Sequence, residues 1–169
     1  MNVYEAIEAR RSVRRFADRP VEDDKLQRLL RAAQEAPSGR NLQEWKLVVV
    51  RDAGARTALA QACEQPFVAA APAVLALVAT HPDRLMHCGV PAAPVDGAIV
   101  LDHVSLAAVQ EGLGTCWIGH FDQDACRKLL KAPASGRIIE MMLLGYAAEP
   151  PAPRKRKDLK HLVCYETYA

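Results

Sequence analysis

Along the chain, apolar positions switch between helical and alternating spacing, and each switch marks an element. Val3, Ala6 and Ile7 form a helical stripe behind Asn2, with Glu5 three positions after it, the pattern of a capping box. Val13 to Phe16 reads as short and extended, and Asp18-Arg19-Pro20 as a turn. Glu22, Asp23 and Asp24 place negative charge in the first turn of a second helix, where the helix dipole favours it. Leu26, Leu29, Leu30 and Ala33 give that helix one buried face. Ala36 to Asn41 is a loop by composition, Trp45–Val50 a strand, Ala53–Ala62 a third helix and Ala73–Ala79 a second strand. The longest apolar run, Phe67 to Thr80, carries Pro72 and falls short of the ~18 residues a bilayer span needs, so no span is expected.

His81 to Pro94 has three prolines, a glycine and no period, which predicts a long loop and a candidate access lid. Asp96 is read as the cap of the most periodic helix, with Ile99, Leu101, Val104, Leu106, Ala108 and Val109, stopped by Gly112 and Gly114. Thr115–Ile118 predicts a third strand. Asp122 opens a helix with Leu129 and Leu130 that Pro133 ends, and Ile138–Leu144 is a fourth strand closed by Gly145. Pro150, Pro151 and Pro153 force an extended tail. Alternating helices and strands imply layered α and β structure, with no repeat and no boundary dividing residues 1–169. The pattern leaves strand direction open.

Composition changes this picture little: half the residues are hydrophobic and a quarter charged, as in globular chains. Charge changes it more. Arg10, Arg11, Arg14 and Arg15 form one basic run and Arg154 to Lys157 another. Without those eight, 14 basic side chains face 20 acidic ones, a net of −6. Positive charge is therefore concentrated at two places far apart in sequence, which one compact phosphate or polyanion could use together if folding joins them. Nine aromatics and no accompanying motif argue against a nucleic-acid module. Five cysteines without a CxxC, and an N-terminus without a basic region followed by an apolar one, predict reduced thiols and a cytoplasmic location. His87-Cys88 and Cys116-x-x-x-His120 lack the spacing of a zinc site, so no metal is expected. There is neither a G-x-G-x-x-G after a strand nor a P-loop.

In an extended Arg10–Arg14, Arg10, Ser12 and Arg14 project to one side, two guanidinium forks around a hydroxyl. Arg154 and Arg156 repeat that spacing. In Pro37-Ser38-Gly39-Arg40-Asn41-Leu42-Gln43, short side chains would let a planar ligand approach the backbone while Ser and Asn offer hydrogen bonds. Gly114-Thr115-Cys116-Trp117-Ile118-Gly119 fits either a buried strand or a set of backbone donors beside an aromatic ligand.

In this order, Ala6-x-x-x-Arg10-Arg11-Ser12-Val13-Arg14-Arg15-Phe16, Ala36 to Trp45, Gly112 to Gly119, Gly145-Tyr146 and the basic tail resemble the FMN-dependent nitroreductase family over nearly the whole chain. The resemblance implies an α+β fold with a central, mostly antiparallel sheet flanked by helices, and an intertwined homodimer with FMN at its interface. By matching position, Arg10, Arg11, Ser12, Arg154 and Arg156 would hold the FMN phosphate and Arg14 would lie by the flavin N1/O2 edge. Pro37, Ser38, Gly39 and Asn41 would come from the other subunit, and Trp117, Ile118 and Gly119 would pass along the isoalloxazine. The implied activity is reduction of nitroaromatics, quinones or similar acceptors by NADH or NADPH, ping-pong, with no side-chain catalytic residue. Enone reduction, dehalogenation, dehydrogenation and FMN binding without turnover are the alternatives on the same fold. Three departures stand out: Gln43-Glu44-Trp45 replaces the family's Gln-Pro-Trp, the large helical insertion of bigger members is missing, and His81 to Pro94 matches no family pattern.

Overall fold

A computed structural model describes residues 1–168. Its centre is a strand buried at every position, β2 (Ala73–Ala79), among β1 (Trp45–Val50), β3 (Gly114–Ile118) and β4 (Arg137–Gly145). The order is β1-β2-β4-β3 and every pairing is antiparallel. Side chains alternate across a strand, so Ala73, Leu75 and Leu77 enter one apolar cluster while Val74, Ala76 and Val78 enter another. A sheet apolar on both faces needs helices over both. α2 (Asp23–Gln34) and α5 (Ala92–Gln110) cover the first face with Leu29, Val100, Leu101 and Val104. α3 (Ala53–Ala62), α4 (Phe67–Ala70) and α6 (Gln123–Leu129) cover the second with Leu59, Val68 and Cys126. The expected α+β class and flanked antiparallel sheet are what forms.

Side chains cap three helices, and two of these caps, Asn2 with Glu5 and Asp122, were read from sequence. At α1 (Val3–Ala9), the Glu5 amide donates to Asn2 Oδ1 at 3.0 Å and the Asn2 amide to Glu5 Oε2 at 2.8 Å. Asp52 and Asp122 accept from the Ala55 and Ala125 amides, opening α3 and α6. Asp96 is different. α5 begins at Ala92 after Pro91, and Pro94 sits in its first turn, where a missing N–H breaks no intrahelical bond. Asp96 is therefore inside the helix, 6% exposed, and not its cap. The expectation of no span-length apolar segment also needs correcting. α5 has 19 residues and mean hydropathy 1.4, long and apolar enough to cross a membrane by length and composition alone. Here it is a core helix, half of it buried in the protein.

Two local features position the site. Gly114 lets the segment after α1 lie against β3: a Cβ there would stand 2.5 Å from Val13 Cγ2. The Val13 amide donates to the Thr115 carbonyl at 2.8 Å and Ser12 bridges Thr115 in parallel, so the arginine run borders the β3 edge. In β4, Leu77 pairs with Glu140 but Val78 with Ile138, leaving Ile139 as an extra residue. Such a bulge re-aims neighbouring side chains, and Glu140 faces the α5 side.

Candidate active site

The two basic runs meet. Arg154 donates to the Ile7 carbonyl at 2.6 Å and to the Arg10 carbonyl at 3.4 Å, which brings the proline-stiffened tail onto the end of α1. Partial withdrawal from water, then the charges of Arg156, Arg11 and Arg10, pull the Arg154 guanidinium below the ordinary arginine range. Among the described residues, no carboxylate lies within ion-pair distance of Arg10, Arg11, Arg14, Arg154 or Arg156. Arg11 donates to the Glu8 and Arg10 carbonyls. Two cavities of about 210 Å³ open here, one lined by Arg11, Gly112, Gly114 and Thr115, the other by Ser12, Arg14, Arg15 and Pro150. Like charges assembled without a counterion are costly in a free protein, and the arrangement is suited to an anion.

The Pro37–Asn41 segment lies elsewhere. It precedes β1, at the sheet edge opposite β3, three interstrand spacings or about 14 Å away. A 3-10 turn, Gly39–Asn41, opens a tight return, and Arg40 and Asn41 within it and Gln43 after it all have φ between 52° and 56°. Non-glycine residues rarely adopt this left-handed conformation, so something must hold it. Ser38 Oγ accepts from the Gln43 amide at 3.0 Å, and Asp96 Oδ1 accepts from the Gly39 amide at 3.0 Å. Arg84 then bridges Asp96 Oδ2 at 3.2 Å and Glu44 Oε2. Thus Glu44, the residue departing from the resembled pattern, joins a chain of charges tying this loop to α5. The same chain tethers the His81–Pro94 segment. With the Ala92 amide donating to the Arg84 carbonyl and the Met86 amide to Val90, it is a compact loop that ends at Pro91.

A third region lies at the far end of β3. Trp117, Gly119, Phe121, Ile139, Glu140, Pro82, Pro94 and Ala98 line an open cavity of about 610 Å³. Glu140 is the only ionisable residue between Ile138 and Leu144, and a Cβ on Gly119 would stand 3.1 Å from its Oε1. Burial pushes its carboxyl above the usual carboxylate range.

Comparison with known proteins establishes the family. A family profile described as "Putative TM nitroreductase" matches residues 2–169. The NADH dehydrogenase of Thermus thermophilus is 32% identical over 188 residues, covering 92% of each chain. The chain belongs to the nitroreductase family. A nitroreductase family protein from Clostridium difficile 630 is 30% identical with a TM-score of 0.88, covering 99% of this chain and 100% of its own. The NADPH:FMN oxidoreductase from Vibrio harveyi, solved in complex with NAD+, is 28% identical with a TM-score of 0.90, covering 100% of this chain and 79% of its own.

In this nitroreductase chain, Arg10, Arg11, Arg154 and Arg156 come together, Ser12 lines the neighbouring cavity with Arg14, and Arg14 lies beside Cys116, whose thiol feels its charge. Trp117 and the exposed Gly119 continue along the same sheet edge. Ile118 differs: its side chain is buried among Cys116 and Met141 on the opposite face, so only its backbone faces this edge. Pro37, Ser38, Gly39 and Asn41 do not join the others within one chain. Sequence reasoning missed Arg84 and Glu140. A signal for Glu140 was present, a single acid within an otherwise apolar strand. For Arg84 none was, because its partners are distant in sequence.

Proposed function

We propose that this nitroreductase-family chain, acting as one unit over residues 1–169, is a cytoplasmic NAD(P)H-dependent FMN oxidoreductase that reduces nitroaromatics, quinones or similar electron-poor acceptors. The observation that carries the reading is the cluster of Arg10, Arg11, Arg154 and Arg156, cations from two ends of the chain with no ion-paired carboxylate among the described residues. A phosphate monoester is the anion that planar forks and the Ser12 hydroxyl suit. From that cluster the β3 edge leads past Thr115 to Trp117 and Gly119, and a bare glycine backbone there admits a flat ring. The residues therefore fit FMN. Held by these residues, FMN would supply two-electron chemistry between a nicotinamide and the acceptor. The chain's own residues do the rest. The arginines bind the phosphate, Arg14 keeps positive charge beside the ring, and Trp117 and Phe121 give the acceptor cavity its apolar wall.

A second copy of the chain completes the site. Asp96 and Val109, at the two ends of α5, are about 20 Å apart. The Ser38 loop sits by Asp96 on the β1 side and the arginine cluster by Val109 on the β3 side. One chain cannot bring both to one cofactor, whereas two chains related by a two-fold axis can. Val3, Tyr4, Ile7, Val95, Leu159 and Leu162 are large apolar side chains left exposed. The chain exposes 10391 Å², where a compact monomer of 18.5 kDa exposes about 8,200 Å². Both observations support an intertwined homodimer.

The test is titration of flavin-stripped protein with FMN and, separately, FAD, followed by flavin fluorescence. One FMN per chain is expected, on a dimer, with affinity that falls as salt rises. A folded dimer that takes up no FMN overturns the reading. Consumption of NADH or NADPH with a quinone or nitroaromatic then separates an enzyme from a binding protein.

A further inference from the structure

The cavity at the end of β3 contains a group that the proposed function does not use. Glu140 occupies a bulge in β4, faces the α5 side and stands beside Gly119. No hydrogen bond or ion pair engages its carboxyl among the described residues. A half-buried acid in an apolar strand is costly to keep without a partner, so its retention calls for a task. Its surroundings are mostly neutral. α5 contributes Pro94 and Ala98, β3 and its extension Trp117, Gly119 and Phe121, and the loop after β2 contributes Pro82. α6 contributes Gln123, whose amide is already spent on both the amide and the carbonyl of Ile138, at 3.0 and 2.8 Å. The charged neighbours are Arg137 on β4 itself, exposed at the mouth, and His120 after Gly119, which faces Glu64 at 3.6 Å. Asp83 and Arg84 follow Pro82, and Arg84 is committed to Glu44 and Asp96.

We propose that Glu140 is the proton donor to an electron-poor acceptor bound in the cavity beside Gly119. The inference rests on the flavin oxidoreductase reading and deepens it. Reduction of a quinone by NAD(P)H consumes one proton: quinone, NAD(P)H and H⁺ give hydroquinone and NAD(P)⁺. The nicotinamide is oxidised by two electrons and the quinone reduced by two. The donated proton breaks the Glu140 carboxyl O–H bond and forms an O–H bond on the quinone oxygen. The carboxylate left behind regains its proton from water at the open mouth of the cavity. Burial, which favours the neutral carboxyl, keeps the donor loaded at higher pH than a solvated glutamate would be.

The experiment compares wild type with Glu140→Gln, which keeps shape and removes the acid. Turnover with a quinone is measured against turnover with ferricyanide, an acceptor whose reduction needs no proton. The quinone-to-ferricyanide ratio falls about 100-fold or more in the variant, the range in which a positioned general acid contributes. A ratio within about threefold of wild type overturns the role of Glu140 while leaving the flavin reading intact, and wild type that binds no FMN overturns both. A second measurement needs neither flavin nor a well-folded variant. The infrared carbonyl band of protonated carboxyls in flavin-free wild type, followed with pH, retains one component above the usual carboxylate range, and Glu140→Gln deletes it where it folds. Complete ionisation within that range overturns the proposal. Wild-type quinone turnover falls as pH rises through that component's midpoint, and ferricyanide turnover does not follow it.

Discussion

Two charged clusters sit at opposite edges of the sheet, and they differ in what neutralises their arginines. At the β1 edge, Arg84 lies between Glu44 and Asp96, all three at least three-quarters shielded, and the charges close on one another. At the β3 edge, Arg10, Arg11, Arg154 and Arg156 face one another with no ion pair to an acid among the described residues, and Glu8 only partly offsets the repulsion on Arg154. The first group is complete as it stands and contributes to folding. The second raises the free energy of the free protein and becomes favourable only when an anion arrives. A cation's company, more than its presence, separates a structural charge from a ligand-binding one.

The largest effect should follow from breaking the closed group. Arg84→Met leaves Asp96 buried, with only the Gly39 amide for a partner, and Glu44 without its cation. Removing one member of a buried pair costs about 3 kcal/mol at the low end of the usual range, which suits a site still partly open to water. The urea midpoint should fall accordingly at unchanged slope. FMN affinity should weaken too, because Arg40, Asn41 and Gln43 lose the anchor holding their left-handed backbone. A midpoint that does not move would mean that the loop holds itself.

The open group should respond with the opposite sign. Arg10→Ala, or Arg156→Ala, removes repulsion from the free protein, so flavin-free thermal stability should hold or rise. FMN affinity should drop at least about tenfold for each charge-assisted bond lost. Its salt dependence should shallow, since fewer charges meet the phosphate. Stability and affinity lost together would place these arginines with Arg84 instead.

How much of this was legible in the sequence follows from the range of the interactions. β1, α3 and β2 were read with their observed boundaries, because apolar runs and the breaks between them are written within a few residues. The arginine cluster was legible as two runs, though not as one site, since only the fold brings Arg154 to Ile7 and Arg10. Asp96 misled for a physical reason. A short acid before an apolar periodic stretch looks the same whether it caps a helix or anchors a distant loop, and here its partners are Gly39 and Arg84. The left-handed turn at Arg40, Asn41 and Gln43 contained no glycine at those positions to announce it. α4 was hidden because one apolar helical turn and the approach to a buried strand have the same composition.

The smallest effect sharpens the comparison at a third, solvent-exposed cluster, where Arg19 stacks 3.9 Å from the Tyr146 ring centre and pairs with Glu22 at 2.6 Å. Tyr146 also donates to Glu22 Oε2 at 2.6 Å, which fastens the start of α2 to the strand that continues past Gly145. The Tyr146 hydroxyl, then the backbone and Arg19, hold the Glu22 carboxyl down to about 2 from its ordinary 4.5. A carboxyl depressed on folding adds stability that is fully present above its unfolded value and is lost as pH falls towards the folded one. Here that window runs from about 4.5 down to about 2. Tyr146→Phe removes the leading cause and keeps the ring beneath Arg19, so the Glu22 midpoint, followed by NMR of its side-chain carboxyl, should climb towards 4.5. Acid unfolding should start at a correspondingly higher pH. The shift in stability should be slight, because exposed pairs are screened by water and salt. If Glu22 keeps its low midpoint in the variant, the backbone and Arg19 together sustain it without the phenol.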